Sequence, residues 1–209
     1  MTAIWGPLGW MTLHSISANY PENPTQEDKL IVKKFIGLFA DTITCPSCKG
    51  HFLTMYNTYT SRNPNWSSSR FELFVFVCRA HNTVNIRLDK PRIPTVMDSI
   101  DTLLERTKIT SASEYRKQYL IYLQRNWAKT DAEGFMMSHA VREMVKINNE
   151  YWNPRETNFQ IRLPEEDVLS SITPIRGSNN KVLPGLKSDG TPVQVGFSLR
   201  SGRFSLVRR

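Results

Sequence analysis

Thr44-Cys45-Pro46-Ser47-Cys48-Lys49-Gly50-His51-Phe52 is the run from which the chain is read most directly. Two thiols separated by two residues can close into a small disulfide ring. A helix starting at Pro46 would turn its free amide N–H groups toward the sulfurs and favour the thiolate form. Such a pair exchanges electrons. It cannot turn over alone, because the electrons must leave for an acceptor, and the residues that hold one must come from the rest of the sequence.

At 209 residues the chain fits one domain with a large appendage, or two small domains. Hydrophobic residues at 40%, charged residues at 22% and aromatics at 11% exclude a disordered or fibrous protein. No apolar run approaches the ~20 residues that cross a bilayer. The first residues, Met1-Thr2-Ala3-Ile4-Trp5-Gly6-Pro7, lack the basic and apolar regions of a signal peptide, so an intracellular protein is expected. Three cysteines, two of them three positions apart, make no disulfide scaffold and read as redox or metal chemistry in a reducing compartment. The net charge of +8 would suit an acidic partner. The Lys and Arg are spread along the chain, however, so nucleic acid is not expected, and a solvated surface with an Arg-rich end (Arg200, Arg203, Arg208, Arg209) is the plainer reading.

Outward from the cysteines, helical signals dominate. Pro7 with Trp10, Leu13, His14 and Ser17 predicts a first helix, ended by Tyr20-Pro21 and Asn23-Pro24. Thr25 caps a second, which turns Leu30, Ile31, Phe35, Leu38 and Phe39 inward and delivers the chain to Cys45. The third covers residues 46–59, with His51, Phe52, Met55 and Tyr56 on or near its buried side. Ser69-Arg70-Phe71-Glu72 is a capping box for a fourth, whose series Phe74, Cys78, His81, Asn85, Leu88 sets polar groups on an otherwise apolar face. Those groups need partners, either core hydrogen bonds or a bound polar ligand. Pro91 and Pro94 break this helix before a short fifth over residues 95–106. The expected class is all-α: a compact bundle of five helices over residues 1–110, then an extension over 111–209. Two further helices are predicted at 113–127 and at 130–149, the second opened by Thr130-Asp131-Ala132-Glu133. Tyr115, Tyr119, Tyr122, Leu123 and Trp127 on one, and Met136, Met137, Ala140, Val141 and Met144 on the other, form apolar stripes. Core packing is the default for both, against the bundle or a second subunit. Beyond Asn153-Pro154 the prolines and glycines exclude long helices, and residues 193–199 alternate as a strand of a small hairpin would.

Taken together, Trp10 with His14, the Cys45-Pro46-Ser47-Cys48 motif with His51-Phe52, Arg70 with Cys78, His81-Asn82-Thr83-Val84-Asn85 and Leu88-Asp89-Lys90-Pro91 resemble the Erv/ALR family of FAD-linked sulfhydryl oxidases. The resemblance covers the first half of the chain, and members encoded by large DNA viruses are the nearest likeness. It implies a helical bundle holding FAD beside the CxxC, with Cys48 next to the flavin and Cys45 facing incoming thiols. Trp10, His14, Tyr20, His51, Cys78, His81, Asn82, Asn85 and Lys90 would line the cofactor site. It further implies O2 as acceptor with hydrogen peroxide as product, a protein dithiol or thioredoxin-like partner, a homodimer, and a place in host cytoplasm or virion. Many members join the position of Cys78 to a cysteine where this chain has Thr95, so Cys78 is expected to be a free, buried thiol. No second CxC or CxxC follows, so substrate would reach Cys45 directly.

Three rival readings stand beside this one, of which a non-catalytic helical interaction module would leave the CxxC unexplained. Cys45, Cys48, His51 and Cys78 would make a Cys3His zinc set in a helical interaction module. A thioredoxin-like oxidoreductase would need alternating strands and helices around its CxxC, and the flanks here read as helical.

Overall fold

Side-chain caps set where most of the helices begin. The computed structural model describes residues 2–129, 131–156 and 172–175, and its helices are α1 (Thr2–Ala18), α2 (Gln26–Asp41), α3 (Pro46–Arg62), α4 (Arg70–Arg87), α5 (Val96–Ile109), α6 (Ala112–Asn126) and α7 (Ala132–Ile147). Thr25 and Thr95 form reciprocal capping boxes with Asp28 and Asp98, each satisfying two otherwise orphaned amides. Ser69 makes only the forward half of its expected box, accepting from the Glu72 amide. Among the described residues the regular structure is helical, without strands, in accord with the all-α reading.

Four expectations need correction. First, α1 begins at Thr2 and runs through Pro7 rather than starting there. Trp5 and Leu8 pack against the main core, and burying them outweighs the backbone hydrogen bond that Pro7 removes. Second, Leu30 is 67% exposed. The buried arc of α2 carries Asp28, Val32, Phe35, Ile36, Phe39 and Ala40, and position 30 falls on the opposite side of that arc. Third, Asp131 caps α7 through the Gly134 amide, one residue beyond Thr130, which lies outside the described residues. The α-helix ends at Ile147 and continues as a π turn, Asn148–Trp152, and a 3-10 turn, Asn153–Arg155. Fourth, Leu88 and Met136 are exposed rather than part of apolar faces. The hairpin expected at 193–199 also lies outside the described residues.

All described residues belong to one compact unit. Its larger core draws Leu13 and Ile16 from α1, Phe35 and Phe39 from α2, Phe52 and Met55 from α3, and Phe76 and Val77 from α4. Tyr119 and Leu123 of α6, Val141 and Met144 of α7, and Trp152 join the same cluster. The stripe on α6 therefore packs on the bundle, and α6 is the helix that α1 meets most extensively. Gly9 makes that approach possible: a Cβ there would lie 3.2 Å from the Phe39 ring and 3.5 Å from Tyr119. A smaller cluster of Ala18, Phe74, Cys78, Val96, Ile100, Leu103 and Ile172 fills the space among α1, α4 and α5.

Candidate redox site

Cys45 is the N-cap of α3, and Pro46 occupies the first helical position, where its missing amide costs nothing. The Cys48 amide points at Cys45 Sγ, 3.3 Å away. Cys45 and Cys48 are joined in a disulfide, with Cα atoms 5.2 Å apart, and both are partly exposed at the edge of the larger core. The helix start thus places a redox-capable pair where solvent-borne thiols can reach it and where free amides stabilise a thiolate. His51 lies one turn on. Burial, then the Arg87 charge, lower its pKa from the ordinary imidazole value.

A second group forms where α1 meets α4. Trp10 and His81 stack with ring centroids 4.2 Å apart and planes 7° from parallel. His14 Nε2 and His81 Nδ1 are 3.0 Å apart, so one imidazole donates to the other. The Cys78 thiol donates to Ser99 Oγ at 3.2 Å, and Ser99 Oγ lies 3.5 Å from His14 Nδ1. Cys78 is free, fully buried, and pushed up to about 12 by burial, with no thiolate character to offer.

The remaining expected site residues take separate places. Tyr20 is wholly buried and its hydroxyl donates to the Ser67 carbonyl at 3.1 Å. The Asn82 amide is spent on backbone: it donates to the Ile93 carbonyl and accepts from the Ile93 amide, at 2.8 and 2.9 Å, with the Ile172 carbonyl at 3.5 Å. Asn85 is buried but its side chain makes no hydrogen bond among the described residues. Lys90 is exposed at the end of α4, close enough for its charge to act on His81. The zinc reading fails on this geometry. Two of its sulfurs are bonded to each other, the third sits in the smaller core cluster, and no group of His, Cys, Asp or Glu among the described residues is arranged to hold a metal.

Ser99 escaped notice in the sequence. Its only signal was a polar residue on the apolar stripe of Val96, Ile100 and Leu103.

Burial, and then His81, hold His14 well below the ordinary imidazole range, while burial and then Lys90 bring His81 down to about 4. An imidazole depressed in the folded state leaves stability intact above its unfolded pKa of ~6.5. Below that value the unfolded chain takes a proton that the folded chain refuses. For His81 stability is expected to fall from pH ~6.5 down to about 4, at up to ~1.4 kcal/mol per pH unit. Urea unfolding across that range should show a shallower loss for His81→Gln. An equal slope would mean that His81 titrates normally.

A family model described as the Erv1 / Alr family matches residues 8–106, the span that holds every one of these groups but Ile172 and that ends before α6. A protein of Invertebrate iridescent virus 6 named as an FAD-linked sulfhydryl oxidase is 32% identical over 94 residues, which is 44% of this chain and 85% of that protein. One of Acanthamoeba polyphaga mimivirus, named likewise, is 30% identical over 109 residues, 51% of this chain and 76% of that protein. The chain belongs to the Erv1 / Alr family. The mitochondrial FAD-linked sulfhydryl oxidase ERV1 of Saccharomyces cerevisiae is 37% identical over 87 residues, 42% of this chain and 44% of that protein. This Erv1 / Alr chain spans less than half the length of the fungal and plant relatives it matches. No solved structure matches it. No helix among the described residues is long and apolar enough to cross a membrane.

Proposed function

We propose that this chain is an FAD-dependent sulfhydryl oxidase that makes disulfides in protein dithiols, with the Cys45–Cys48 bond as the one its substrates reduce. The observation that carries the reading is a disulfide at a helix N-terminus in a chain whose relatives are named for FAD-linked thiol oxidation.

The residues suit the cofactor. Trp10 and His81 offer flat faces to a planar heterocycle, Asn85 brings an amide on the same helix as His81, and Lys90 brings positive charge for a diphosphate. His14 braces His81 from behind, and His51 extends from the CxxC helix. Tyr20, Cys78 and Asn82 serve the site from the second row, through the backbone and Ser99 contacts they already make. Bound there, FAD supplies a two-electron acceptor with onward transfer to O2, so that two thiols and O2 yield a disulfide and hydrogen peroxide.

The protein's own part begins with a substrate thiolate attacking Cys45 Sγ. A mixed disulfide forms, the Cys45–Cys48 bond breaks, and its electron pair leaves on Cys48 as a thiolate. Cys48 occupies the third position of α3, where unpaired amides favour that charge. A second substrate thiolate then attacks the substrate sulfur, releasing the oxidised product and the Cys45 thiolate. Cys45, partly exposed at the cap, receives substrate directly, from a protein dithiol or a thioredoxin-like partner. The chain works as a homodimer, which sedimentation across micromolar concentrations tests.

The purified full-length protein is expected to be yellow and zinc-free, and to take up oxygen in step with the dithiothreitol it oxidises. A colourless protein with no dithiol-dependent uptake would overturn the reading. His81→Ala is expected to weaken flavin retention ~10-fold by removing one stacked face. Undiminished flavin content after gel filtration would take His81 out of the site.

A further inference from the structure

The four residues between the end of α2 at Asp41 and the start of α3 at Pro46 carry Cys45. Beside their local bonds to the last turn of α2, such as that of the Thr42 hydroxyl to the Leu38 carbonyl at 2.8 Å, three contacts reach them from the helices beyond the family match, which ends at residue 106. The indole N–H of Trp127, at the C-cap of α6, donates to the buried carbonyl of Thr42 at 2.9 Å. The Thr42 hydroxyl lies 3.5 Å from Met144 Sδ on α7. One residue before Cys45, the Thr44 hydroxyl is 3.2 Å from the Tyr122 hydroxyl on α6. Trp127 is itself fixed, since Ser138 of α7 donates to its carbonyl at 2.6 Å. The Thr42 carbonyl belongs to the C-terminal end of α2, where carbonyls lack partners within the helix. Without the indole this one would be buried and unpaired.

We infer that α6 and α7 are a built-in part of the redox site, with Tyr122 and Trp127 as positioning residues that hold the loop bearing Cys45 beside Cys48. The inference rests on the reading of Cys45 and Cys48 as the redox pair. Closing the disulfide requires the two Cα atoms at 5.2 Å. A loop already fixed from behind keeps Cys45 at the cap when the pair is reduced, so little chain entropy is lost on closing the ring. A freed loop would lose more. The extension therefore favours the disulfide form.

The test uses the full-length protein carrying Tyr122→Phe or Trp127→Phe, equilibrated anaerobically with reduced and oxidised glutathione and then alkylated. In that equilibrium two glutathione thiols reduce the Cys45–Cys48 bond and leave as one glutathione disulfide; without oxygen, any bound flavin comes to the same potential and leaves the dithiol-to-disulfide ratio set by the glutathione couple. Each variant is expected to shift it ~3–10-fold toward the dithiol, a tenfold change being about 30 mV. Amide exchange at residues 42–45 should quicken ~10-fold. Thr95→Ala, which removes the capping box of α5 and touches none of these contacts, should lower Tm and leave the glutathione equilibrium unmoved. The inference is overturned if both Phe variants keep the wild-type equilibrium, if they shift it toward the disulfide, or if Thr95→Ala shifts it as far. Tyr122→Phe removes one oxygen atom and retains the ring, so it decides the matter even should Trp127→Phe fold poorly. Wild-type oxygen uptake, measured separately, reports on the oxidase reading alone.

Discussion

Cys45→Ser and Cys48→Ser are each expected to lower thiol oxidation by ~10^3-fold or more while the protein keeps its fold. The two losses have different causes. Without Cys45 there is no sulfur for an incoming thiolate to attack at the exposed cap. Without Cys48 no disulfide exists to be attacked, and Cys45 remains a lone thiol. Stability should hardly move, because both side chains sit at the rim of the core rather than within it. Serine is moreover a favoured N-cap, so Cys45→Ser retains the start of α3. Steady-state oxygen uptake with a reduced protein substrate, beside a thermal melt, separates the two effects. Turnover within a few fold of wild type in either variant would remove that cysteine from the reaction.

Glu156→Gln is expected to cost ~3–5 kcal/mol of stability, the largest single loss outside the apolar core. Its partner Arg116 is wholly buried, a rare state for a guanidinium, and four of its five N–H donors are paired. Nε donates to Asn148 at 2.9 Å, Nη1 to Ser15 at 3.3 Å, and Nη2 to Asn153 at 3.2 Å and Glu156 at 2.7 Å. Glu156 also accepts from the Ser113 amide at 2.9 Å and faces Asn19 at 3.4 Å. One ion pair thus joins α1, α6, the π turn and the segment after it. Removing the carboxylate charge leaves a cation in the interior without a counter-ion. Arg116→Met is expected to cost a similar amount by orphaning the acceptors, and the double variant less than the two losses summed, since both break the same pair. Urea unfolding of the four proteins measures this. Strict additivity would show that the two side chains do not act together. Lys34–Glu143 offers a contrast, lying at the surface with its side chains 55% and 32% exposed, where breaking an ion pair changes little.

Much of this architecture was legible from local signals. Thr25, Ser69 and Thr95 cap helices because their hydroxyls meet an amide three residues on, a rule that needs no tertiary context. Cys45-Pro46 marks the start of α3 because Pro46 suits the first helical position, which needs no amide. Leu30 misled because two nearby phases of the helical period fit α2, and only the packing of α7 against it selects the one that buries Val32 and Ile36. Arg116 could not be foreseen. An arginine on a polar-looking helix reads as solvated, and its burial depends on Asn148, Asn153 and Glu156 arriving from 32 to 40 residues away. The same holds for Trp127, whose place in an apolar stripe was visible but whose indole partner, the carbonyl of Thr42, lies 85 residues back. Hydrogen bonds to backbone carry no residue-type signature at the accepting end.

The site was readable in kind and less so in detail. Trp10, His14 and His81 announce themselves by residue type, and the fold brings them together. Cys78 and Asn82 stand on the helix of His81 and Tyr20 just beyond the end of α1, but the structure gives them protein partners that spacing alone could not assign.

The most direct measurement is anaerobic mixing of a dithiol with the purified, flavin-loaded protein while the visible flavin band is followed. The account predicts rapid bleaching in the wild type and none above the solution background in Cys48→Ser with the same flavin content. Bleaching of equal rate in Cys48→Ser would contradict it, because electrons would then be reaching the flavin without passing through the Cys45–Cys48 pair.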